Sequence, residues 1–255
     1  MSTASRQRRL ADQIHLHTFL INPRAPEEIL GLILLDILKS MKRVMSLDAS
    51  STTIGISIID YDDSSINLHH KEYYKPPKKG NLFERLAAVR QFIQDKIDEF
   101  NPDDTAMEDI VLFMGSGPKC PVCKKPTGGG STAKTITTLA VLNRTVGLAI
   151  YDKTGKAPYL YNAMRIRHAI KLDKTLPPKE EIPNVVATIL GFTFDFKMRK
   201  SKGKLIPSEE NFDMADAIAC GICHVYMDRA GKADELQIKK KRKKKKTTKK
   251  KATKK

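Results

Sequence analysis

The stretch "MSLDASSTTIGISIID" (residues 45–60) ends a short apolar run in one carboxylate, Asp48, and follows it with small and hydroxylated residues. An aspartate after a strand ordinarily caps a tight turn. The alternative is a carboxylate held on a rigid sheet to grip a metal ion. The choice depends on whether other carboxylates converge on it. Around Asp48 the pattern is regular. "VMSLD" (44–48) is a short strand, "TIGISIIDY" (53–61) alternates Ile54, Ile56 and Ile58 on one face, and "INLHHKEYY" (66–74) is a third strand, so the three are expected to form an antiparallel meander. Leu82, Leu86, Val89, Phe92, Ile93 and Ile97 recur at helical spacing over 81–100, and Asn101 and Pro102 stop that helix.

Further along, "TAMEDIVLF" (105–113) reads as a fourth strand, 114–131 as a loop, 131–152 as a long helix and 157–163 as a fifth strand. A basic stretch (164–174) and a short helix near 179–190 come next. Ser208 is placed to cap a last helix over 209–229, and Gly231 to end it. A meander followed by alternating helix and strand predicts an α/β domain with a mixed five-stranded sheet flanked by helices. Its expected extent is 44–230, preceded by an extension (1–43) carrying a helix at 29–41 and followed by a disordered lysine-rich tail (231–255).

The net charge of +17 is concentrated at one end. Residues 239–255 hold 13 of the 46 Lys and Arg and no acid, leaving 33 against 29 for the rest. Such a tail suits a polyanion such as nucleic acid, although lysine runs also serve as localisation signals. No run of eighteen apolar residues exists to span a membrane. Four cysteines do not suggest a disulfide framework, so the expected setting is intracellular: cytoplasmic, or nuclear or organellar in a eukaryotic or viral owner.

Three more acids share the logic of Asp48. Glu108 lies within an apolar strand, where a charge needs a partner. Asp213 and Asp216 stand three apart near the start of an apolar helix, and so project from one face. Four carboxylates so placed are what a site for two Mg²⁺ ions requires, and hard oxygens suit that ion. Individually each has a plainer role, as a turn cap, an edge residue or a helix N-terminal acid.

With these residues the chain resembles the RuvC family of Holliday junction resolvases, within the ribonuclease H-like fold. The matching motifs are Asp48 with Gly55 in "LDASSTTIG", Glu108 in "AMEDIVLF", and Asp213 and Asp216 in "DMADAIACGICH". The resemblance implies a Mg²⁺-dependent endonuclease resolving branched DNA by paired phosphodiester hydrolysis, with these four acids as catalytic metal ligands. It implies a homodimer with helix 131–152 at or near its interface. It also places Lys134, Arg165, Arg167, Lys171 and Lys179 where the family contacts DNA, and a loop apolar side chain, Phe113 or Met114, at the junction crossover. The loop here is longer and carries "CPVC", so Cys120 and Cys123 can offer half of a zinc site, with Cys220 and Cys223 as the second CxxC. Two rivals remain: a non-catalytic DNA-binding protein on the same scaffold, which leaves the acids unexplained, and an actin-like or sugar-kinase ATPase, whose second phosphate loop is missing.

Overall fold

The computed structural model describes residues 41–50, 52–110 and 133–234, with only the backbone at 133–135. The helix expected at 29–41 (but for its last residue), Phe113, Met114, the CPVC loop and the lysine tail lie outside the described residues. The chain divides into two units, Met1–Lys42 and Arg43–Lys255, and the sheet with its helices makes up the second.

Five strands make one sheet: β1 (Lys42–Ala49), β2 (Ile54–Tyr61), β3 (Ile66–Tyr74), β4 (Asp104–Glu108) and β5 (Tyr159–Tyr161), in the order β3-β2-β1-β4-β5. β3 pairs antiparallel to β2, whereas β4 runs parallel to both β1 and β5. The sheet is therefore mixed, and every residue of β2 is buried because helices cover both faces. Helices α1 (Leu82–Phe100) and α2 (Ala133–Thr154) lie on one face. There Met45, Leu47, Ile54, Ile56 and Met107 meet Val89, Ile93, Val146 and Ile150. On the other face lie α3 (Ala163–Ile170), α4 (Ile182–Leu190) and α5 (Glu209–Arg229). Val44, Ile59 and Ala106 pack there against Ile166, Val186, Ile218 and Ile222. The alternation of β1 explains both layers: Met45 and Leu47 turn one way, Val44 and Ser46 the other.

Local chemistry sets the ends of these elements. Asn81 and Glu84 form a reciprocal capping box on α1, and Asn101 closes it in the left-handed region at φ 44°. The basic stretch forms helix α3, which was not expected; the Asn162 side chain accepts from Arg165 N and starts it. Ser208 stands at the N-cap of α5 but makes no side-chain cap hydrogen bond. Gly231 closes that helix at φ 63°, its N–H donating to Asp228 O. A two-stranded hairpin, β6 (Met198–Ser201) and β7 (Lys204–Pro207), was not read from the sequence at all. No helix among the described residues is long and apolar enough to cross a membrane.

Candidate active site

Parallel pairing of β1 with β4 sets Leu47 beside Met107, so the next residue on each strand, Asp48 and Glu108, stand side by side at the strands' carboxyl ends. Open α/β sheets bind ligands at such ends. Glu108 is the last residue of β4, not an interior residue as the run through Phe113 suggested. Both acids turn to the face covered by α5, which supplies Asp213 and Asp216.

Two glycines bring α5 close enough. A Cβ on Gly55 of β2 would come within 2.0 Å of Asp213 O, so the first turns of α5 cross β2 where no side chain fits. A Cβ on Gly221 would come within 2.5 Å of Ser46 Oγ and 2.7 Å of Ile59 Cδ1. Between these contacts Ser46 Oγ donates to Ala217 O at 2.9 Å and lies 2.6 Å from Ser57 Oγ. These buried hydroxyls pin the middle of α5 to β1 and β2 at Ala217, fixing Asp216 just before it and Asp213 one turn earlier.

The outcome is an open cleft of about 460 Å³ lined by all four carboxylates together with Arg167, Lys179 and Asn143. Burial, followed by the negative charges of Asp216, Glu108 and Asp213, holds the Asp48 carboxyl well above the ordinary carboxylate range. Burial and then Asp216 push Glu108 up to about 7. Burial chiefly raises Asp213 to about 6, against the pull of Lys179 and a Thr53 hydrogen bond. Asp216 is raised by burial too, while Lys179 Nζ, 3.5 Å from its Oδ2, pulls the other way. Burial is the leading cause at all four; repulsion between carboxylates adds to it at Asp48, Glu108 and Asp213, and Lys179 opposes it.

Among the described residues no group of three or more His, Cys, Asp or Glu side chains is set to hold an ion as it stands. The donor set nonetheless suits one: several carboxylates, no thiolate, and charge repulsion that a hard dication would relieve. Cys220 and Cys223 do not join it. Both are buried in the core with thiols raised by burial, and act as small apolar residues. Cys120 and Cys123 fall outside the described residues.

The basic residues separate into groups. Arg167 and Lys179 line the cleft. Arg165 instead directs its guanidinium at Met227 Sδ, 3.5 Å away on α5. Lys171, just past the end of α3, is exposed, and the side chain of Lys134 is not described. Asn143, which sequence reasoning did not single out, is buried on α2 and donates from Nδ2 to Glu108 O at 3.0 Å. Its Oδ1 has no partner among the described residues. Its only sequence signal was an amide on the apolar side of a helix.

No family model matches the chain. It is 27% identical over 195 residues to the crossover junction endodeoxyribonuclease RuvC of Finegoldia magna, spanning 76% of this chain and 99% of that one. The RuvC of Xanthomonas euvesicatoria is 26% identical over 188 residues, 73% of this chain and 89% of its own. Among solved structures, Thermus thermophilus RuvC in complex with a Holliday junction substrate superimposes with a TM-score of 0.53 at 18% identity, covering 75% of this chain and 98% of that one. The chain is RuvC-like in sequence, and its fold is the ribonuclease H-like fold of those resolvases.

Proposed function

We propose that the chain is a structure-specific endonuclease that resolves four-way DNA junctions by hydrolysing phosphodiesters, with Asp48, Glu108, Asp213 and Asp216 as the ligands of two Mg²⁺ ions. The observation that carries this is the convergence of four carboxylates, from two strand ends and one helix, in one cleft with two cations. Bound Mg²⁺ would supply a nucleophile from water and neutralise charge building on the phosphate. The chain's own residues do the rest. Asp48 and Glu108, on rigid parallel strands, and Asp213 and Asp216, on a helix pinned by buried hydroxyls, fix the ligand oxygens. Asn143 holds the Glu108 backbone in place. Lys179, ion-paired with Asp216, and Arg167 bring positive charge to where a phosphate must approach four acids.

Paired cuts in a nearly two-fold junction need two such sites related by a dyad, hence a homodimer. Leu148 and Tyr151, one turn apart on α2 and 57% and 53% exposed, are an apolar face suited to that contact. The body, 44–230, is the nuclease domain in this reading, and the lysine tail adds sequence-independent affinity.

The test is Asp48→Asn on a labelled four-way junction at saturating Mg²⁺. An asparagine keeps a turn cap but loses a charged ligand, so nicking should vanish while junction binding persists. Substantial cleavage by that variant would refute the reading.

A further inference from the structure

On the far side of the Ser50–Thr53 turn lies a second cleft, of about 270 Å³, lined by Thr52, Thr53, Lys75, Pro76, Lys78, Arg85, Arg199, Glu209 and Glu210. The turn is shared: Ser50 lines the acid cleft, Thr52 and Thr53 line this one, and Ser50 Oγ donates to Thr53 O at 2.8 Å. The two acids of the second cleft are already matched, Glu210 by Lys75 and Glu209 by Arg199 at 3.0 Å. Lys78 makes no ion pair among the described residues, and Arg85 has its Nε buried with no hydrogen-bond partner among them. The cleft therefore carries unmatched positive charge.

The β6–β7 hairpin extends it. Its register pairs Arg199 with Ile206 and Ser201 with Lys204, which puts Arg199 and Lys204 on the same, cleft-facing side. Lys202 and Gly203 form the two-residue turn with φ of 48° and 77°. Positive φ at both positions is the turn that asparagine and glycine favour, and a lysine there costs about 1 kcal/mol. A residue poor for its backbone but placed at an exposed tip is better explained by its charge than by folding.

We infer that this second cleft, with the Lys202 hairpin tip and Lys204, binds the sugar–phosphate backbone of a DNA arm flanking the phosphate held at the acids. The inference rests on the nuclease reading for the identity of the polyanion. The arm reaches the acid cleft over the Thr52–Thr53 turn, and the cations contact phosphates only, so the interaction is blind to sequence.

The experiment measures binding of the full chain to a four-way junction and to linear duplex DNA over a salt series without divalent cation. Native protein is compared with Lys78→Ala/Lys202→Asn/Lys204→Ala and with Lys202→Asn alone. Removing one phosphate contact flattens the slope of log K against log salt by about 0.9, so the triple variant should lose up to about 2.7 and the single about 0.9. Lys202→Asn should melt at or above the native temperature, because asparagine suits the turn. Nicking at low salt with Mg²⁺ should be retained, since none of these residues lines the acid cleft. An unchanged slope in the triple variant overturns the inference, as does a lower melting temperature of Lys202→Asn without a change of slope. A slope change on duplex RNA but not on DNA overturns the identity of the ligand. A slope change in a protein whose native form never nicks would instead remove the catalytic reading and leave the cleft.

Discussion

Two acids on the same face of β4, Glu108 at its carboxyl end and Asp104 at its amino end, have opposite surroundings. Around Asp104 each acid has a partner of its own. His224 Nε2 lies 3.5 Å from Asp104 Oδ2, Tyr61 donates to Asp228 and Tyr159 to Asp234, while on the opposite face of the sheet Arg43 forks onto Asp60. Around Glu108 the neighbours are other carboxylates, and two cations serve four acids. The amino end of the strand sets a hydroxyl, an imidazole or a guanidinium against each of these acids. The other end sets four acids against two cations, an excess of negative charge that fits the proposed Mg²⁺ site.

The largest effect should come from testing that contrast directly. Glu108→Gln keeps the size and hydrogen bonding of the side chain but removes one charge. Several kcal/mol of lost transition-state stabilisation corresponds to a fall of about 10³-fold in single-turnover nicking. The variant should fold at least as stably as the native protein without Mg²⁺, because a repelling charge has gone. A fall of less than tenfold would mean that the crowded acids are not the catalytic ones.

Next in size is Gly55→Ala. Its methyl group meets the Asp213 backbone rather than a flexible tip, so α5 must shift at the acid end while the Asp104 end keeps its contacts. Overpacking of this kind costs about 1–3 kcal/mol. Thermal melting should show that loss, with nicking falling further than stability because Asp213 and Asp216 move. A variant as active as native would show that the close approach does not position the acids.

The four acids were legible because each broke a local pattern: a charge at the end of an apolar strand, a charge among Ala, Met and Ile, and two charges on one face of an apolar helix. The two glycines and the serine contacts were not, since their role depends on which residue of α5 crosses which strand. Asn143 was hidden for a like reason, as an amide in a helix means little until the buried face is known. The end of β4 at Glu108 was overrun because Ile110 to Phe113 continue the apolar signal. The hairpin was missed because "MRKSKGKLIP" looks like a charged loop, and a Lys-Gly turn is a weak signal beside Asn-Gly.

A smaller effect separates the two ends by pH. In the metal-free protein Glu108 titrates near 7 against 4.5 in the unfolded chain, and Asp213 near 6 against 3.8. Between about pH 4 and 7 the native state thus holds more protons than the unfolded one, so stability is greatest at the acid side and falls as pH rises through that window. Mg²⁺ should restore the melting temperature most above pH 7, where these acids are charged. A melting temperature that rises from pH 5 to 8 without metal, or is indifferent to Mg²⁺ at pH 8, would mean that burial and neighbouring charge do not hold these acids above their ordinary range.

The smallest effect belongs to the other end of the same strand. Asp104→Asn leaves the fold's hydrophobic contacts in place and removes one charged partner of His224, whose Nδ1 still meets Tyr161 OH at 3.0 Å. A buried polar contact of this kind, which makes no hydrogen bond at 3.5 Å, is worth about 1 kcal/mol at most. Melting should fall slightly, and nicking per folded molecule should not change, since Asp104 and His224 lie outside the acid cleft. Were Asp104→Asn to cut nicking as Glu108→Gln does, partnered and crowded acids would serve the same chemistry, and the contrast between the two ends of β4 would not mark function.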